Sequence, residues 1–189
     1  MLSRSLRFLL LLLLFAAHAA SFAADGRQGG HDAYEAIVLR VQDGDTLLVR
    51  RIGQTRPHRV RLSGIDAPER GQAHADESRA ALEALVAGKR VRVAPVKKDP
   101  WGRVVAAVSV GERDVGLAMV ESGHAWYFRR YRSDLPQELR KPYERAEAQA
   151  RKAGIGLWGD PAAQAPWEYR LRQRDQRREA AERERLSPS

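Results

Sequence analysis

With 189 residues, no cysteine and 33 basic against 24 acidic residues, the chain carries a net charge of +9. This excludes disulfide-stapled scaffolds, thiolate metal sites and cysteine-linked lipid anchors. Hydrophobic residues at 43% and charged residues at 30% suit a folded soluble protein of one domain with additions.

The N-terminus reads "MLSRSLRFLLLLLLFAAHAASFAAD": Arg4 and Arg7, an apolar run from Phe8 to Ala17, then small residues. That order is the layout of a secretory signal peptide, and the run is short for a bilayer span. Ser21 and Ala23 favour cleavage after Ala23; Ala17 and Ala19 allow a cut after Ala19. An uncleaved anchor is the competing reading. Without Arg4 and Arg7 the balance is 31 basic to 24 acidic, or +7. Such a charge favours polyanionic partners, nucleic acid before an anionic membrane surface. The 28 arginines against 5 lysines suit phosphate, but a GC-rich genome produces the same bias.

Residues 24–33 read as a flexible leader. "YEAIVLRV" and "TLLVRRI" alternate as two strands around the turn Asp43-Gly44-Asp45. Pro57 to Ile65 reads as a third strand, with Val60 and Leu62 on one face and Arg59 and Arg61 on the other. "ADESRAALEALVAG" has Ala81, Leu82, Leu85 and Val86 at helical spacing and Gly88 placed to end the helix. "KRVRVAPVKK" and "RVVAAVSV" are a fourth and a fifth strand around the turn "DPWG". Asp114 is placed to cap a short helix to Gly123. A longer helix spans Gln137 to Ala153, with Pro142 expected in its first turn or at its start.

No internal repeat is visible. Five short strands interrupted and followed by about three helices give an α+β fold with a mainly β core, an OB-fold barrel, over residues 34–160. The tail, 161–189, has seven arginines and five acids. Glu168/Arg172, Arg178/Glu182 and Glu179/Arg183 are spaced as i,i+4 pairs of a solvated helix. A further nucleic-acid contact is the other reading of this tail; no catalysis is expected there.

The Asp43-Gly44-Asp45 turn is either an ordinary hairpin or half of a metal site. Asp66 and Glu69 follow in "RLSGIDAPE", and Arg103 follows "DPWG". Singly, each suits a turn, a helix start or an exposed strand position. Together, the blocks "VQDGDTLLVR", "VRLSGIDAPE", "DPWGRVVAAV", "SGHAWYFRRY" and "AEAQARKAGIGLW" resemble the thermonuclease, or staphylococcal-nuclease-like, family from about Tyr34 to Asp160.

The resemblance implies a Ca²⁺ site formed by the carboxylates of Asp45 and Asp66 and the backbone carbonyl of Ala67, with Asp43 and Thr46 in its outer shell. Hard oxygen ligands suit that cation, and gathered carboxylates call for one. The resemblance also implies Glu69 as general base toward water, with Arg61 and Arg103 on the phosphate. Ca²⁺ activates water weakly, so a carboxylate base is useful. The implied activity is phosphodiester hydrolysis of DNA and RNA with little sequence preference, leaving 3′-phosphate ends.

Ala67 departs from the threonine often found there and keeps only the carbonyl. Trp101 stands where a tyrosine is common and suits either base stacking or covering the barrel. Tyr131 keeps one aromatic position, while Arg129 replaces another and would contact phosphate. The loop after Glu69 is shorter than in the staphylococcal type. The five histidines lack paired zinc spacing, and His74 reads as a bystander beside the active loop.

The expectation is therefore an exported protein, secreted or periplasmic, monomeric, without an obligatory protein partner and touching membrane only through its signal peptide. Two alternatives are a non-catalytic OB-type module binding nucleic acid or a protein, and an envelope protein anchored by its N-terminus.

Overall fold

Alternating apolar residues drive five strands to close around one interior. A computed structural model describes residues 32–186; the expected signal peptide and most of the expected leader lie outside them. Strand β1 (Tyr34–Val41) pairs antiparallel with β2 (Thr46–Arg51), and β2 with β3 (His58–Leu62). Strand β5 (Arg90–Lys98) runs antiparallel to both β1 and β6 (Val104–Val110). A parallel pairing of β3 with β6, Arg61 opposite Val105, closes the barrel. The five-stranded barrel expected from the sequence is present.

Leu47, Val49, Val60, Leu62, Val91, Val93, Ala106 and Val108 fill the interior, each buried. Burying each of the valine and leucine side chains stabilises by about 1.5–3 kcal/mol. Strand β5 shifts register between Pro95 and Lys97, where a residue without an N–H is tolerated. The third strand is shorter than its apolar pattern suggests. Gly64 has φ +74°, so the chain turns after Leu62 before the two-residue strand β4 (Ile65–Asp66). Strand β4 then pairs with β8 (Trp126–Tyr127) rather than with the barrel.

Helix α1 (Ala75–Val86) buries Leu82 and Val86 against the barrel, and Gly88 follows it with φ +67°. The two-residue strand β7 (Arg113–Asp114) leads into helix α2 (Val115–Glu121), whose capping Asp114 accepts the Leu117 N–H at 2.7 Å. Helix α3 (Gln137–Ala153) packs on α2, and its Tyr143 hydroxyl donates to the same Asp114 oxygen at 2.6 Å. Pro142 stands in the second turn of α3, not the first, because the helix already starts five residues earlier, at Gln137, just after its N-cap Pro136.

The tail forms helix α4 (Pro166–Leu186). Its start is docked: Trp167 stacks on Phe128 at 5.1 Å with the rings 7° apart, and meets Trp126 edge-on. Leu157 and Ala165 complete this second apolar cluster. From Arg174 onward the helix is exposed. Of the three expected i,i+4 pairs, only Glu179–Arg183 is formed among the described residues, at 3.9 Å. None of the described helices is long and apolar enough to cross a membrane.

Candidate active site

One end of the barrel collects the carboxylates. Asp45 ends the β1–β2 turn, and its backbone carbonyl accepts the Leu62 N–H at 2.8 Å, which fixes it beside the end of β3. Gly44 is required at that turn by close approach. A Cβ there would lie 1.9 Å from Ser78 Oγ of α1 and 2.7 Å from the Ala67 side chain. Asp43 accepts the Asp45 N–H at 3.1 Å, and Thr46 donates its hydroxyl to Asp45 Oδ1 at 2.9 Å. The turn is thus both a hairpin and one wall of the site.

Register places Thr46 opposite Arg61, on the outer face that Val60 and Leu62 leave. Arg61 lies between the two aspartates. Its Nη1 donates to Asp45 Oδ2 at 2.5 Å, and its Nη2 to Asp66 Oδ1 at 2.8 Å. The Ala67 N–H donates to Asp45 Oδ2 at 3.1 Å. Asp66 is fully buried. Glu69 stands at the rim, where its backbone N–H donates to Gln72 Oε1 at 3.0 Å.

Burial works to raise the carboxyl of Asp45, but the Arg61 charge and the bonds from Ala67, Thr46 and Arg61 outweigh it, and the net direction is down. For Asp66 burial prevails: the group moves up despite hydrogen bonds from Arg170 and the Arg61 charge, with Asp45 adding to the rise. Burial, then the Asp45 charge, pushes Asp43 up to about 6. Arg61 moves up because its two carboxylate partners outweigh its own desolvation.

Arg103 is on the same outer face, two residues before Val105 in the parallel register with Arg61. Its guanidinium does not reach the carboxylates of the site. Its Nε donates to Asp99 Oδ2 at 2.6 Å, and the guanidinium lies 5.4 Å from the Trp101 ring. Trp101 is 69% exposed, so it does not cover the barrel. Tyr131 is half exposed beside Phe128, with Lys97 Nζ over its ring at 4.8 Å. Arg129 donates to the buried Glu147 at 2.6 Å and lies over the Tyr127 ring, with its side chain still half exposed. His74 caps α1 at φ 65° and bonds Asp160 at 3.0 Å.

The sequence suggests a solvated helix or a further nucleic-acid contact for the tail; the structure adds a contact with the site. Arg170 of α4 reaches into the site: Nη2 meets Asp66 Oδ2 at 2.7 Å, and Nη1 meets Glu69 Oε1 at 2.5 Å and Asp66 Oδ1 at 3.2 Å. The signal available was the aromatic pair in "PWEYR", which marks a docked rather than a fully solvated helix start. The neighbouring loops are tied as well, with Gln72 Nε2 donating to the Gln164 carbonyl at 2.6 Å.

Among the described residues no group of three or more His, Cys, Asp or Glu side chains is arranged to hold a metal ion. The fit to a cation rests instead on two carboxylates and charge balance. Asp45, Asp66 and Glu69 pair with the two guanidiniums of Arg61 and Arg170, and Asp43 adds a fourth carboxyl beside Asp45. This leaves a formal deficit that a divalent cation matches, and the donors are all hard oxygens.

A closed five-stranded barrel with acids and arginines gathered at one end defines an OB-like fold. A family model described as "Staphylococcal nuclease homologue" matches residues 59–160, beginning just after the hairpin that carries Asp45. Protein ParB of Escherichia coli is 38% identical over 152 residues, covering 75% of this chain and 82% of that protein. Micrococcal nuclease of Shigella flexneri is 37% identical over 146 residues, covering 72% and 80%. Probable staphylococcal-like nuclease CAN2 of Oryza sativa subsp. japonica is 36% identical over 125 residues, covering 66% of this chain; the chain spans only 32% of that relative's length. The chain belongs to the staphylococcal nuclease homologue family.

Proposed function

We propose that the protein is an exported, Ca²⁺-dependent nuclease that hydrolyses phosphodiester bonds of DNA and RNA with little sequence preference. The observation that carries this reading is the joining of Asp45 and Asp66 through Arg61, with Glu69 three residues beyond Asp66 at the rim. Membership of a family whose relatives carry nuclease names supports it. Export is inferred from the N-terminal pattern of basic, apolar and small residues. Secretion or a periplasmic location would follow.

Asp45, Asp66 and the Ala67 carbonyl would hold the Ca²⁺ ion, with Asp43 and Thr46 behind them. Bound there, the ion supplies positive charge to a phosphate oxygen. Glu69 takes a proton from the attacking water, a contribution of about 10²–10⁴-fold. The water oxygen bonds to phosphorus as the bond to the 5′-oxygen breaks. The 5′-oxygen leaves and takes a proton from solvent, the phosphate stays on the 3′ side, and Glu69 returns its proton to solvent. Arg61 meets charge growing on the equatorial oxygens. Arg103 contributes from the same face through its Nη amines, since its Nε is the atom engaged by Asp99. Exposed Trp101 and Tyr131 offer ring faces to unpaired bases.

The purified mature protein should cleave single- and double-stranded DNA and RNA with Ca²⁺ and stop with a chelator. Its fragments should resist 3′ extension until a phosphatase removes the terminal phosphate. Binding without cleavage by folded, Ca²⁺-loaded protein would favour a non-catalytic strand-holding module. Mass spectrometry of the exported chain should find a mature N-terminus near Ala24.

A further inference from the structure

Every oxygen of the Asp66 carboxylate is already engaged by a guanidinium. Oδ1 accepts from Arg61 and, at 3.2 Å, from Arg170; Oδ2 accepts from Arg170 at 2.7 Å. The same Arg170 holds Glu69. Its position is built rather than incidental. Trp167, one turn earlier, is stacked on Phe128 and sits in the cluster of Trp126, Leu157 and Ala165. The loop carrying Glu69 is tied to the segment before α4 through Gln72 and Gln164. A docked helix therefore delivers one cation to two carboxylates from 101 and 104 residues away.

A metal ion ligated by Asp66 needs an oxygen that Arg170 now holds. A guanidinium that stays nearby also repels a divalent cation at short range. The Arg170 side chain is about two-fifths exposed, so it can swing toward solvent while Trp167 stays docked.

We infer that Arg170 is a resident counter-cation of this site: it competes with the divalent ion for Asp66 and sets the affinity for that ion. Displacement of Arg170 releases Glu69 in the same movement. Arg170 is then a positioning residue supplied by the tail, and the first two turns of α4 are part of the site. This rests on the reading of Asp45 and Asp66 as cation ligands.

The test is calorimetric titration of Ca²⁺ into the full mature chain, comparing wild type with Arg170→Ala, Arg170→Gln and, as a control on the same helix, Arg172→Ala. Thermal melts establish that each variant is folded. Arg170→Ala and Arg170→Gln should bind Ca²⁺ about twofold to fivefold more tightly than wild type, the scale of one partly exposed ion pair. Arg172→Ala should match wild type. Equal or weaker binding by both Arg170 variants, with a wild type that binds, overturns the inference and leaves the metal-site reading intact. Absence of Ca²⁺ binding in wild type and variants alike overturns both.

Discussion

Gly44 and Ser78 approach so closely that any side chain at Gly44 would occupy the space of the serine hydroxyl. Ser78 is fully buried and donates to the His124 carbonyl at 2.7 Å. It cannot yield without orphaning that bond. Gly44→Ala should therefore destabilise the protein by about 1–3 kcal/mol, as overpacked sites do, and displace Asp45 from Arg61. A denaturant melt measures the first effect, and Ca²⁺ titration the second. An unchanged midpoint would show that α1 is not seated on the hairpin as described.

Arg61 is the common partner of Asp45 and Asp66. Its removal leaves buried Asp45 without its charge partner and Asp66 with Arg170 alone, and deleting one member of a buried pair costs about 3 kcal/mol or more. Arg61→Ala should lower the melting temperature in chelator and regain part of it when Ca²⁺ is added. Cleavage should fall by about 10²–10³-fold if Arg61 also meets charge in the transition state. A variant as stable as wild type in chelator would contradict the pairing.

Asp114 holds two elements with one oxygen, capping α2 through Leu117 and receiving the Tyr143 hydroxyl of α3. Loss of the cap costs about 0.5–2 kcal/mol, and an orphaned buried hydroxyl about 1–3 kcal/mol. Asp114→Ala should destabilise more than Asp114→Asn, which keeps the acceptor. Equal melts for the two would place the effect elsewhere.

How much of this was readable beforehand follows from the range of each interaction. Val60 and Leu62 against Arg59 and Arg61, Asp114 as a cap, and helix α3 from Gln137 to Ala153 are local patterns, and they appear where periodicity put them. The carboxylates Asp45 and Asp66 are drawn to one place because both bond Arg61, and the family resemblance groups these three residues in one site. Side-chain partners across the fold were not legible. Nothing near Arg129 announces Glu147, nothing in "DPWGR" decides between Asp99 and a phosphate for Arg103, and Arg170 lies 104 residues from Asp66. The early end of β3 turns on a positive φ at Gly64, where a Cβ would also strike Leu135 at 2.5 Å. A tertiary contact, not the apolar pattern, stops that strand.

His58 accepts or donates at 2.6 Å with the Tyr34 hydroxyl, and burial, followed by the Arg51 and Lys98 charges, holds its ring below the usual histidine range. Below about pH 6.5 the unfolded chain takes up a proton at this residue before the folded one does. Stability contributed by neutral His58 is thus present at high pH and lost as pH falls through that window. Asp43, pushed up to about 6, works in the opposite sense, because the folded chain binds its proton first. The difference between wild type and His58→Gln isolates the histidine. Between pH 7.5 and 5.5 in chelator, wild type should lose more melting temperature than the variant. Parallel curves would exclude His58 as a titrating contributor.

Glu69, beside a cation held by Asp45 and Asp66, is the group proposed to take the proton from water. The most direct test of that role is the cleavage rate of single-stranded DNA in saturating Ca²⁺ for wild type and Glu69→Gln, with Ca²⁺ binding measured on both. The account predicts a loss of about 10²–10⁴-fold in rate while the variant still binds Ca²⁺. A folded, Ca²⁺-loaded Glu69→Gln protein that cleaves as fast as wild type would contradict it.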